Sequence, residues 1–289
     1  MDTLSRLLIL NILEGSIDKN CLLGDNWKIH HTTGEFSVVR WHTVTQGAAR
    51  IKTPTGQTFT LRPGRIVLLP HNSAHCLNQL GDEPTHIICG SLRLQHSARH
   101  FLTTLPEVLY LAPSNNSLEF YWLKDVICFL QQESNTGMLG SDALCSQQCS
   151  TLFTLAIRNW LTQVTTEKNL LNLLLHPRLG LVISQMMENP SHPWTIKELA
   201  QQVYMSRASF AQLFRKISNT TPMSVLTMLR LQIAAQTLSR ETLPIVLIAE
   251  SVGYANESSF HKAFVREFNC TPGEYRKRIK LLETKDNDT

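Results

Sequence analysis

The 289 residues contain no run of eighteen consecutive apolar side chains, which excludes an ordinary membrane-spanning helix. The opening carries Asp2 and Arg6 and shows no leader-cleavage pattern, so the chain is expected to be cytoplasmic. A disulfide scaffold is missing too. The seven cysteines, at 21, 76, 89, 128, 145, 149 and 270, are odd in number and scattered, so in a reducing compartment they are thiols and any disulfide is a signal. Neither a nucleophile elbow nor a Ser/His/Asp pattern occurs, and no enzyme is expected. Low-complexity sequence is confined to the charged terminus 283–289, expected to fray. With 43% apolar residues, the chain has material for two domains: a sensor and dimerisation domain over 1–165, a linker over 166–176 and a helical domain over 177–289.

The helical domain repeats one grammar. Thr195 with Glu198 three residues on is a capping box, Ile196, Leu199, Ala200 and Val203 share a face, and Ser206 caps a second helix. Phe210, Leu213 and Phe214 turn that helix inward, leaving Arg207, Ala208, Ala211, Gln212 and Arg215 outward. The second copy opens at Pro244, stops at Gly253 and restarts after Asn256. There Phe260, Phe264 and Phe268 face inward, and Glu257, Ser258, His261 and Lys262 remain outside. Such helix-turn-helix units fit a B-DNA major groove. Between them Pro222–Ser239 lacks glycine and predicts one helix, a spacer of roughly 25 Å that would let one chain read two adjacent grooves. Residues 195–280 hold twelve Lys/Arg against six Asp/Glu, whereas the remainder is slightly acidic. Phosphate contact uses such a surplus.

The segments Ala249–Tyr254, Ser259–Phe268 and Thr271–Arg276 resemble the carboxyl-terminal signature of AraC/XylS-type transcription regulators. That resemblance implies seven helices carrying two helix-turn-helix units, in an activator that binds promoter DNA and works with RNA polymerase. The small Ala208 and Ala211 suggest that the first unit reads thymine methyls or DNA shape more than hydrogen bonds.

Upstream, Met1–Glu14 reads as a short amphipathic helix. Short strands separated by turns then follow: Asn20–Leu23, Phe36–Val44, Ala48–Lys52, Thr58–Leu61, Ile66–Leu69, His75–Gln79 and His86–Leu94. Their spacing suggests a small barrel or sandwich. Trp41–Gly47 and the series Gly64, Pro70, Asn72, His75 resemble the two motifs of cupins, but the His-x-His pair and the Glu of metal-bearing cupins are absent. This favours a sensor pocket over dioxygenase-like chemistry. Leu118–Gln132 and Ser141–Gln163 predict two amphipathic helices able to cover the barrel and a second subunit, which suggests a homodimer. The fold class is therefore α+β: a cupin-like barrel with two trailing helices, then an all-α domain.

Cys21 and Cys89 both lie on predicted strands, whereas Cys128, Cys145 and Cys149 read as core residues of helices. From the residues alone, the first pair is either buried filler or a functional dithiol. The combination of cupin-like domain, Cys21, Cys89 and the segment Leu92–Arg99 resembles the reactive-chlorine-responsive branch of the AraC-type activators. The resemblance implies a redox switch in which hypochlorous acid oxidises one thiol and a second resolves it as a disulfide. A regulator with a small organic effector in the cupin pocket is the alternative. His42 and His75 should face the barrel interior, where with Cys21 and Cys89 they would make a tetrahedral zinc set, or serve only as hydrogen-bonded core histidines.

Overall fold

The computed structural model describes residues 2–35, 37–95, 98–163 and 171–286. Residues 164–170, which include the first five residues of the expected linker, lie outside that set, as do His96 and Ser97. Two compact units emerge, Ile12–Thr165 and a second made of Thr166–Thr289 together with Met1–Asn11.

The chain opens with α1 (Thr3–Asn11) and runs directly into β1 (Ile12–Leu23). Strands β2 (Lys28–His31), β3 (Val38–Gln46), β4 (Ala49–Lys52), β5 (Thr58–Leu61), β6 (Ile66–Leu69), β7 (His75–Gln79) and β8 (Thr85–Leu94) follow. A short α2 (Arg99–Thr103), β9 (Leu109–Leu111), α3 (Leu118–Thr136) and α4 (Ser141–Gln163) complete the first unit. Its strands form two antiparallel sheets in the orders β1-β8-β3-β6-β9 and β2-β7-β4-β5. Val44, Val67, Leu69, Ile87 and Cys89 of one sheet pack with Ala49, Ile51, Leu61 and Leu77 of the other. Each fully buried Leu, Ile or Val there contributes roughly 1.5–3 kcal/mol. The motif Gly64 to His75 is the β6 hairpin and its return. Gly64 turns at φ +80°, where a Cβ would meet the Phe120 ring at 2.5 Å, and Asn72 takes φ +47° before His75 opens β7.

The sequence reading omits β2 and β9 and begins β1 eight residues late. Lys28–His31 is too polar and short to announce a strand. In β1, Glu14-Gly15-Ser16 breaks the apolar pattern, and the ladder with β8 slips twice, at Ile12/Glu14 and Ile17/Lys19.

The second unit contains α5 (Asn172–Leu175), α6 (Leu179–Glu188), α7 (Ile196–Gln202), α8 (Arg207–Ser218), α9 (Pro222–Arg240), α10 (Ile245–Ser251), α11 (Glu257–Phe268) and α12 (Pro272–Asp286). Its central helix is α9, buried on several sides through Val225, Leu226, Leu229, Leu231, Ala234, Ala235 and Leu238. One boundary expected from sequence changes. α1 packs on α6 and α9 with Leu7 and Leu8 buried and Arg6 paired with Glu188 at 2.7 Å, so the first eleven residues group with the carboxyl-terminal unit, not the barrel. Asn172–Leu175 is a helical turn whose Leu173 is fully buried, the short lead-in helix that the leucines of 170–175 predict.

Candidate functional site

Both helix-turn-helix units assemble from local signals. Thr195 and Glu198 close a reciprocal capping box on α7, with the Thr195 amide donating to Glu198 Oε2 at 2.8 Å and the Glu198 amide donating to Thr195 Oγ1 at 3.2 Å. These hydrogen bonds to the carboxylate hold the Glu198 pKa below its ordinary value. Ser206 caps α8 by accepting from the Ser209 amide. Phe210 and Phe214 are fully buried, while Arg207, Ala208, Gln212 and Arg215 are exposed and Ala211 is half-buried.

The second unit repeats this. Pro244 occupies the cap of α10, and Asn256 Oδ1 accepts from the Ser259 amide at 2.8 Å at the start of α11. Phe260 and Phe264 are buried in a ring ladder that runs from Tyr254 to Phe268 and Tyr275. Glu257, Ser258 and Lys262 are exposed, and His261 is half-buried at the same face.

The two turns differ in one informative residue. The second uses Gly253 at φ +82°, where a Cβ would lie 2.7 Å from the Arg230 guanidinium and 2.8 Å from the Ser191 carbonyl. Arg230 is fixed there by donating to the Pro190 and His192 carbonyls. The first turn places Tyr204 at the corresponding position with φ +55°, its ring almost wholly exposed. Sequence reasoning passed over Tyr204, because nothing local in Val203-Tyr204-Met205 marks a left-handed residue.

In the barrel, β1, β8 and β3 lie side by side, and their registers fix the neighbours of the two cysteines. Cys89 pairs with Lys19 on β1 and His42 on β3, whereas Cys21 pairs with Ile87. Cys21 and Cys89 are thus diagonal neighbours on adjacent strands, both against the inner core. Cys89 is buried, Cys21 is half-exposed, and both are free thiols. Burial pushes the Cys89 thiol up to about 12 against the smaller opposing pull of Lys19. Cys145 and Cys149 are buried on α4, as their helical spacing predicts, and burial raises the Cys149 thiol to about 12 as well.

The zinc set expected from sequence assembles only in half. His42 and His75 do meet, with Nε2 atoms 2.8 Å apart, but the third group beside them is His31. Among the described residues, neither cysteine joins that cluster: Cys89 is the ladder neighbour of His42, and Cys21 lies one strand farther out. His31 was missed because its strand was. The available signal was the His30-His31 doublet just ahead of the first cupin-like strand. Burial lowers the pKa of all three imidazoles, His31 to about 4 and His42 well below its ordinary range.

Comparison with known proteins agrees with both halves of the chain. A helix-turn-helix domain family matches residues 199–278, and a cupin family matches residues 2–162. The RCS-specific HTH-type transcriptional activator RclR of Escherichia coli strain K12 is 67% identical, over 98% of this chain and 99% of its own length. The HTH-type transcriptional regulator AlkR of Acinetobacter baylyi is 29% identical, over 87% of this chain and 91% of its own. A crystal structure of ToxT from Vibrio cholerae O395 aligns with a TM-score of 0.39 at 13% identity, over 92% of this chain and 98% of that one. With a cupin barrel ahead of paired helix-turn-helix units, and near-full-length identity to such an activator, the chain belongs to the AraC-type family of DNA-binding transcription activators.

Proposed function

We propose that this activator is switched by reactive chlorine species through Cys21 and Cys89. The observation that carries the reading is their placement as diagonal neighbours on one face of β1 and β8. The 67% identical relative, an RCS-specific activator, points the same way. Cys21 is the half-exposed thiol and meets the oxidant first, since Cys89 is buried and held protonated. Hypochlorous acid takes two electrons from the Cys21 sulfur and leaves as chloride, giving a sulfenic acid. The Cys89 sulfur then displaces its hydroxyl as water, so two thiols and one hypochlorous acid yield one disulfide, chloride, water and a proton. Diagonal neighbours have Cα atoms about 7–8 Å apart, beyond the roughly 4.4–6.8 Å that a disulfide spans. Closing the bond therefore has to shift β1 along β8, at a ladder that already slips twice.

Arg207, Ala208, Ala211, Gln212 and Arg215 on α8, and Glu257, Ser258, His261 and Lys262 on α11, are the residues we place against DNA. Their support is a shared outer face on the second helix of each unit, exposed except at the half-buried Ala211 and His261. The protein would act in the cytoplasm on RNA polymerase, without turnover of a substrate. A homodimer is supported by α3 and α4, which expose Leu118, Trp122, Phe129 and Leu144 and flank an apolar groove of about 500 Å³. The test is promoter induction by hypochlorite in Cys21→Ser and Cys89→Ser variants. Loss in both is expected. Induction that survives in both removes the thiol switch and leaves an organic effector as the stimulus.

A further inference from the structure

Three imidazoles converge inside the barrel, and among the described residues no carboxylate or sulfur joins them. His31 ends β2, His75 opens β7 directly opposite it in the ladder, and His42 reaches them from β3 in the other sheet. One ring nitrogen from each falls within 4.8 Å of the other two. His31 stacks on His75 with ring centroids 4.5 Å apart and stands 5.0 Å from His42. The His75 Nδ1–H donates to the Ser73 carbonyl at 2.7 Å, which leaves the Nε2 lone pair aimed into the cluster.

Hydrogen bonding does not account for this arrangement. A bond between the Nε2 atoms of His42 and His75 satisfies only that pair. His31 Nε2 remains buried with no hydrogen-bond partner, and a buried polar atom left unpaired is costly.

The geometry points to a metal site: His31, His42 and His75 together bind one divalent transition ion of the zinc class, with the fourth coordination position left to water or a small anion. Three nitrogen donors suit zinc and its neighbours, whereas magnesium and calcium require oxygen. Zinc–nitrogen bonds of about 2.0–2.1 Å in a tetrahedral array set donors about 3.3 Å apart, so the His42–His75 pair would open by about half an ångström on binding. Two of the ligands stand at cupin-motif positions, but His31 comes from a strand outside both motifs. The site is independent of the thiol switch, because neither Cys21 nor Cys89 is a ligand.

The full chain, purified without a histidine tag, is stripped with chelator and titrated with Zn²⁺, and with Co²⁺ as a spectroscopic probe. One ion per chain is expected. The Co²⁺ form should show visible ligand-field bands and no thiolate-to-cobalt charge transfer. His31→Ala changes a half-exposed residue at the end of a strand, and its fold is checked by circular dichroism. It should lose more than about 100-fold in affinity, the upper end of what even a lost outer-sphere partner costs. His75→Ala should behave alike, whereas Cys21→Ser and Cys89→Ser should bind as the parent does. Zn²⁺ should raise the melting temperature of the parent and leave that of His31→Ala unchanged. Substoichiometric binding overturns the site. So does a charge-transfer band that vanishes with the cysteines, or a folded His31→Ala that keeps the parent's affinity.

Discussion

At the scale of single residues, the two turns make opposite predictions. Gly253 combines φ +82° with close approach to Arg230 and the Ser191 carbonyl, so Gly253→Ala should cost at least about 2 kcal/mol in denaturant melts, the left-handed penalty plus displaced neighbours. Tyr204 holds φ +55° with its side chain in solvent, and Tyr204→Gly should gain up to about 1 kcal/mol. A silent Gly253→Ala would contradict the turn geometry. The barrel histidines give a pH prediction. Their folded pKa values lie below the ordinary 6.5, so the unfolded chain takes up protons first as pH falls. Stability contributed by the neutral imidazoles is complete above 6.5 and is lost as pH drops from there toward about 4, the His31 value. At the other extreme, the buried Cys89 thiol, raised from 9.0 to about 12, makes the barrel lose stability as pH rises past 9.0. Melts monitored through the buried Trp41 should show both limbs, and Cys89→Ser should flatten the alkaline one.

Among the elements, α1 is the unexpected one, because a helix at the start of the chain packs on the helical unit at its end. Leu8→Ala should therefore destabilise that unit by about 2–4 kcal/mol. Arg6→Ala, which removes a partly exposed ion pair, should cost only about 0.5 kcal/mol. Hydrogen exchange resolves where each loss falls. Protection lost in the barrel but kept in α6 and α9 would contradict the packing of α1. The elements also show where sequence was legible. α8 and α11 could be read because their caps, Ser206 and Asn256, and their phenylalanine spacing are all local. β2 could not, because Lys28–His31 alternates without an apolar face of its own and earns its place through pairing with β7. The metal-like cluster was half legible for the same reason: His42 and His75 sit in recognisable motifs, whereas His31 arrives only by tertiary pairing. The packing of α1 was beyond reach, since an amphipathic stripe does not say what it will cover.

For the whole molecule, charge and repetition carry the function. The basic surplus of residues 195–280 sits on the unit that bears two helix-turn-helix motifs joined by α9, a helix of 19 residues and so about 28 Å long. Lys262→Ala and Gln212→Ala should each weaken operator binding by about 1–3 kcal/mol, while Lys124→Ala on α3 should leave it unchanged. Arg215→Ala should lower the salt slope of binding by about one. Equal losses from all of these would indicate general instability instead. The most direct test of the doubled reading head is a protection footprint of the purified full chain on its promoter. Two protected major-groove patches about 10 base pairs apart are predicted, with Gln212→Ala weakening one and Lys262→Ala the other. A single patch, or no preference for the promoter over random duplex, would contradict the account.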